Sequence, residues 1–126
     1  MEEGREQYIK ESAEQICIGA AKDTEFVGFL CLKETGKDTL ELAVMGVLKE
    51  YHRQGIGRGM FMMAKNIARK KRYSFLQVKT VQMGKYEDYD DTNRFYIRLG
   101  FKEFEVFPTL WDEANPCQIY VMSVER

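Results

Sequence analysis

The densest chemistry lies in Tyr51-His52-Arg53-Gln54-Gly55-Ile56-Gly57-Arg58-Gly59. The run follows an apolar, strand-like stretch and opens a stretch of helical periodicity. Glycines there let the main chain approach a ligand closely, and free N–H groups at a helix N-terminus bind anions. Arg53 and Arg58 add positive charge on either side. A phosphate or pyrophosphate ligand follows from these residue types. Two common phosphate loops are excluded. A P-loop ends in Gly-Lys-Ser/Thr, whereas Gly57 is followed by Arg58 and Gly59. A dinucleotide fingerprint needs its third glycine at Met60 and an acid about 20 residues on, where Phe75-Leu76-Gln77-Val78-Lys79 has none. A plain helix start is the bland alternative, but so many glycines cost helix stability.

Met45-Gly46-Val47 followed by His52-Arg53-Gln54-Gly55-Ile56-Gly57 resembles the acetyl-CoA site of the GNAT superfamily of N-acetyltransferases, whose loop reads Gln/Arg-x-x-Gly-x-Gly/Ala. Downstream, Phe95-Tyr96-Ile97-Arg98-Leu99-Gly100-Phe101 resembles the family's Y-x-x-x-G-F helix end. The motifs stand in the family's order, and the resemblance extends over roughly residues 5–124. It implies that Arg53, Gln54, Gly55, Ile56, Gly57 and Arg58 hold the CoA pyrophosphate through main-chain N–H groups, and that His52 is a further cofactor-binding position of the same loop. It also implies that Met45, Gly46 and Val47 pair their backbone with the pantetheine arm, as an added strand would. An N–H near Val47 would polarise the thioester carbonyl. Tyr96 is the implied acid for the departing thiolate. Glu41, 14 residues ahead of Gly55, matches the base glutamate of histone-type members.

The sequence departs from the family pattern in three places. His52 stands where Gln or Arg is usual. Tyr89 stands seven residues before the tyrosine, where many members carry Asn. The family's first strand and first helix have no counterpart before residue 2. Those elements often line the acceptor site, so either the wall is built differently or the second subunit of a homodimer supplies it.

Each candidate also has a structural reading. Glu41 points opposite to Leu40 and Leu42, which suits a solvated strand residue as well as a base. Tyr96 would pack beside Phe95 and Leu99 on a helix face. Tyr86-Glu87-Asp88-Tyr89-Asp90-Asp91 reads first as a solvated loop, and second as an attractor for a cationic amine. Trp111, Asp112, Glu113 and Asn115 are acceptor contacts or structural residues. Cys117 has no histidine partner, and the family transfers acyl groups directly, so it is not expected to carry an acyl group.

Composition narrows the class. The 126 residues form a single domain, residues 1–126, with 44% hydrophobic and 31% charged residues. A net charge of -1 lacks the basic surplus of a nucleic-acid binder. No apolar run reaches the ~18–20 residues of a membrane span, and the charged N-terminus does not resemble a signal peptide. Cys17, Cys31 and Cys117 match no zinc spacing, and their odd number argues against a disulfide framework. Free thiols and a cytoplasmic location are expected. A single histidine, His52, disfavours a His-based metal site.

These residues need a scaffold. The periodicity predicts a helix over 2–13, then strands over 16–21, 25–34 and 40–48 joined by tight turns. A helix over 55–72 follows, with Ile56, Met60, Met63, Ala64 and Ile67 on one face. Next come a strand over 74–81 and an acidic loop to Asp91. Thr92 is expected to cap a short helix ended by Gly100. Strands over 101–107 and 118–124 close the chain, with Pro108 and Pro116 bracketing the segment between them. The expected fold is α/β: a GNAT-like, mixed, mostly antiparallel sheet flanked by helices.

The expected activity is acetyl transfer from acetyl-CoA, as co-substrate, to a primary amine of a small molecule or peptide. The amine attacks directly in a ternary complex, with no metal, nucleic acid or membrane involved. The alternative on the same fold is a catalytically silent CoA-binding sensor or interaction module.

Overall fold

The computed structural model describes residues 5–11 and 15–125. Seven strands form one sheet in the order β1-β2-β3-β4-β5-β7-β6. They are β1 (Arg5–Glu11), β2 (Ile16–Lys22), β3 (Glu25–Gly36), β4 (Thr39–Val47), β5 (Phe75–Val81), β6 (Lys102–Asp112) and β7 (Asn115–Ser123). Helix α1 (Ile56–Lys70) connects β4 to β5, and α2 (Glu87–Leu99) connects β5 to β6. The mixed sheet and both helices match the expected architecture.

β2 and β3 meet at Asp23 and Thr24, both left-handed with φ of 51° and 71°. Such a turn matches the twist of the strands it joins. Ala21 pairs with Phe26 but Ala20 pairs with Gly28, so Val27 is an extra residue on β3. The bulge shifts the register and sets Cys17 directly opposite Cys31. The two are joined as a disulfide, with Cα atoms 4.1 Å apart. This corrects the expectation of free thiols: the pairing is created by a register that cysteine spacing does not reveal. Only Cys117 is free, and it is buried.

A second bulge shapes the site. Leu32 pairs with Leu42 but Cys31 pairs with Val44, leaving Ala43 as the extra residue on β4. On its other side, β4 runs parallel to β5 only at Thr39↔Phe75, Leu40↔Leu76 and Glu41↔Gln77. Bulges bend strands and end pairing. Beyond Glu41 the two strands part like a fork.

One core lies between the sheet and the helices. Ile56, Met60, Phe61, Ala64 and Ala68 of α1 join Leu40, Leu42, Leu76 and Val78 of the sheet and Tyr96 of α2. Rings stitch the two helices together, with Phe101 5.7 Å from both Phe61 and Tyr96.

Other expectations shift. The predicted helix over 2–13 is strand β1 over Arg5–Glu11, antiparallel to β2; residues 2–4, 12 and 13 lie outside the described residues. Cross-strand pairing at the sheet edge overrides a weak helical periodicity there. Helix α2 begins at Glu87, not at Thr92. Glu87, Asp88 and Asp90 in its first turn suit the positive end of the helix dipole. Thr92 lies inside the helix and donates back to Asp88 O at 3.2 Å. The prolines also fall inside strands: β6 runs on to Asp112 and β7 starts at Asn115. Pairing lapses where Pro108 to Trp111 stand against Pro116 alone. Proline is tolerated on the edge strand β6, as at Pro108, and at the start of a strand, as at Pro116, which precedes the first β7–β5 pair at Cys117↔Val81.

Candidate active site

The fork between β4 and β5 opens into a cleft of about 570 Å³. Leu42 to Met45 form one wall and Lys79 to Val81 the other. Helix α2 contributes Tyr89, Thr92 and Tyr96, and the β6–β7 hairpin contributes Trp111, Asp112 and Asn115. Past Glu41, the edge of β4 has no partner strand. Among the described residues no strand takes up the main-chain groups on that edge at Leu42 to Gly46, which can pair with an extended ligand.

The glycine loop continues from this wall. The N–H of Leu48 donates to Val27 O at 2.9 Å, so the bulged residue of β3 fixes the end of β4. His52 Nε2 lies 2.8 Å from Val47 O. A carbonyl only accepts, so the ring presents its N–H there. The N–H groups of Tyr51 and His52 bond Leu48 O and Lys49 O. The Tyr51 hydroxyl donates to Glu25 at 2.8 Å. Arg53 and Gly55 are both left-handed, with φ of 63° and 79°. A non-glycine residue held there costs about 1 kcal/mol or more. Such turns gather N–H groups into an anion-binding concavity. The first helical bond runs from Gly59 N–H to Gly55 O at 2.9 Å. The N–H groups of Ile56, Gly57 and Arg58 thus precede the helical ladder. Ile56 buries its side chain and offers only its backbone, while Arg53, Gln54 and Arg58 are exposed. A Cβ on Gly57 would stand 3.0 Å from Met45 Cε and 3.1 Å from Phe95 Cζ. The loop is thereby packed against the cleft wall and α2.

Tyr96 lines the cleft yet is only 7% exposed. Burial pushes its phenol up to about 12, so it stays protonated at any physiological pH. Glu41 is also 7% exposed and sits at the vertex of the fork, one residue before the cleft wall begins. Its carboxylate accepts from Gln77 Nε2 at 2.9 Å and pairs with Lys79 Nζ at 3.2 Å. Lys79, not Glu41, reaches the cleft.

A protein-family profile described as an acetyltransferase (GNAT) domain matches residues 13–103. The chain belongs to the GNAT family of acetyltransferases. It is thus an acyltransferase by family, and the motifs at 45–57 and 95–101 lie within the matched segment. Curated protein sequences give no match. Solved structures share the fold. A protein assigned to the GNAT family from Desulfovibrio desulfuricans superposes with a TM-score of 0.81 at 22% identity, over 89% of this chain and 71% of that one. A GNAT acetyltransferase from Elizabethkingia anophelis with acetyl-CoA bound gives 0.79 at 14% identity, over 97% and 99%. The ribosomal-protein-S18-alanine N-acetyltransferase of Escherichia coli gives 0.73 at 17% identity, over 92% and 73%.

Within this GNAT domain the expected residues divide into three groups. Met45 and Tyr96 meet at the cleft. Gly46, Val47 and the loop from His52 to Arg58 continue from Met45 toward α1. Glu41 stands behind Lys79 rather than in the wall. Cys117 is fully buried, and burial pushes its thiol up, which suits a packing residue and not a nucleophile.

Sequence reasoning missed two residues. Lys79 had no motif to mark it. Asn93 is fully buried and anchors α2: its Nδ2 donates to Val81 O at 2.9 Å and to Tyr89 O at 2.6 Å. A buried-polar signal of this kind appears only once helix and sheet are docked. Among the described residues no cluster of three His, Cys, Asp or Glu could hold a metal, and no helix is long and apolar enough to cross a membrane.

Proposed function

We propose that the protein transfers an acetyl group from acetyl-CoA to a primary amine by direct attack in a ternary complex. The observation that carries this reading is the β4–β5 fork: an unpaired strand edge leads from the cleft to a glycine loop and helix start suited to a pyrophosphate. The main chain of Met45, Gly46 and Val47 takes the pantetheine arm as a neighbouring strand. Main-chain N–H groups from Arg53 to Arg58 take the pyrophosphate, with the Arg53 and Arg58 side chains adding charge. An N–H near Val47 stabilises the oxyanion that forms as the amine attacks. His52, in place of the usual Gln or Arg, fastens Val47 O and keeps that segment in place.

Tyr96 supplies the proton to the sulfur as the C–S bond breaks. A phenol raised by burial is a weak acid, so its contribution belongs at the low end of general-acid effects, about 10²-fold. Glu41, through a water, takes the proton that the ammonium loses before attack or the neutral amine loses as it attacks. Its pairing with Lys79 couples that step to a cation on the cleft wall.

Two measurements test the reading. Calorimetry with CoA should show saturable binding, and thiol release should appear with acetyl-CoA and an amine. Binding without thiol release across a broad amine panel would instead support the silent CoA-binding module. Absence of CoA binding would overturn both.

A further inference from the structure

The acceptor side of the cleft differs from what the acidic run at 86–91 suggests. Those residues form the first turns of α2, and helical spacing turns Tyr89, Thr92 and Tyr96 toward the cleft as one stripe. The acids fall off that stripe. Asp90 accepts from Gly84 N–H at 2.7 Å, and Asp91 pairs with Arg94 at 2.8 Å. Glu87 and Asp88 are exposed and outside the lining.

What does face the cleft is aromatic. Trp111 is held at its rim by the stretch of β6 that has slipped out of pairing with β7. It is 47% exposed, and Tyr89, on the opposing helix, is 43% exposed. The charged lining side chains are Lys79 and Asp112. Lys79 is neutralised by Glu41 at 3.2 Å. Among the described residues, Asp112 accepts only from Asn115 in the hairpin turn, from that residue's backbone N–H and side-chain amide. One negative charge with no cationic partner among the described residues therefore lines the same cleft as two half-exposed rings.

We infer that the acceptor is a monoamine carried on a flat, apolar body, held between Trp111 and Tyr89 with its ammonium drawn to Asp112. The inference rests on the acetyl-transfer reading above. Ring faces attract both cations and planar apolar groups. A polyamine needs several inward-facing carboxylates, and the wall offers one. Trp111 is a specificity-determining residue: it binds the body of the acceptor and touches none of the bonds that change.

Trp111 is also the chain's only tryptophan, so its fluorescence reports directly on the cleft. The test titrates the full chain, saturated with CoA, with phenethylamine and with spermidine, and measures kcat/KM for both with acetyl-CoA. Phenethylamine should give a saturable fluorescence change and a kcat/KM at least tenfold above that of spermidine. Trp111→Ala should raise KM for phenethylamine about tenfold while leaving kcat within about twofold and CoA affinity unchanged. Trp111→Phe should recover most of the loss, because a ring remains. A preference for spermidine, a flat fluorescence response to phenethylamine, or an unchanged KM in Trp111→Ala overturns the inference. CoA calorimetry on the same samples separates the two failures: intact CoA binding with any of these results removes the acceptor class alone, whereas lost CoA binding removes the acetyl-transfer reading as well.

Discussion

The hydroxyl of Tyr120 on β7 donates to Asn93 Oδ1 on α2 at 2.6 Å, and both side chains are buried. With the two bonds from Asn93 Nδ2, this contact pins the helix that carries Tyr89, Thr92 and Tyr96 to the sheet beneath it. Tyr120→Phe keeps the ring and leaves Asn93 Oδ1 buried without a donor. It should lower stability by about 1–3 kcal/mol, measured by urea unfolding. Unchanged stability would show that the Tyr120 hydroxyl takes no part in holding α2.

Gly57→Asp places a side chain where Met45 Cε and Phe95 Cζ stand 3.0 and 3.1 Å from the new Cβ. It also sets a negative charge at a helix start suited to anions. CoA affinity should fall at least about tenfold, by calorimetry, with far-UV circular dichroism retained. Equal affinity in a folded variant would remove the loop from the binding site.

Tyr96→Phe should lower turnover about 10²-fold with little change in CoA affinity. It also has a signature in stability. The folded phenol is pushed up to about 12 from its ordinary 10. As pH rises from about 10 toward 12, the unfolded chain sheds a proton that the folded one keeps, so stability falls with pH. The loss from this group approaches about 2–3 kcal/mol. Tyr73, also raised to about 12, chiefly by its bond to Glu34, adds to the same slope. Urea unfolding at mildly and at strongly alkaline pH should show a shallower decline in Tyr96→Phe than in the wild type. Parallel declines would place Tyr96 in a wetter setting.

Glu41→Gln should lower kcat/KM about 10²-fold near neutral pH, with the loss relieved where the amine deprotonates itself. The pH profile of kcat/KM checks this. Coincident profiles would pass the role of base to a water chain or another cleft residue. Lys79→Met removes the ion pair but keeps the Glu41 carboxylate and its bond from Gln77, so it should retain more activity than Glu41→Gln if the carboxylate itself is the base.

Thiol counting tests the cysteine assignment. The native chain should react slowly with a thiol reagent, because Cys117 is fully buried and burial pushes its thiol up. Denaturation without reductant should expose one thiol, and with reductant three. Three thiols without reductant would dissolve the Cys17–Cys31 bridge.

The glycine loop, helix α1 and the C-terminal half of α2 are legible because their signals are local, whereas the first turns of α2 read as an acidic loop. Gly55 and Gly57 before a 3.6-residue period mark a helix start, and Gly100 marks a helix end. The strands of β2, β3 and β4 were legible from apolar runs between turns. Register was not. The Val27 bulge that brings Cys17 to Cys31 and the Ala43 bulge that precedes the fork are pairing facts between distant residues. For the same reason Lys79 and Asn93 left no mark: their partners lie across the sheet. The edge strand β1 was misread because a charged segment with few apolar residues fits a solvated helix and a sheet edge equally well.

The two halves of the sheet touch through only three parallel residue pairs, Thr39↔Phe75 to Glu41↔Gln77, whereas their other pairings are antiparallel. The strands β2 to β4, like β6 and β7, can zip from their own turns. The parallel seam must instead wait for the chain to loop through α1, and contacts of that span pay their entropy before they gain anything. The seam should therefore form late in assembly and be the first line along which the folded sheet comes apart. Substitutions at Leu40 or Leu76 should accelerate unfolding more than they retard folding, and amide exchange should run fastest, within the sheet interior, along the strand pair that borders the cleft.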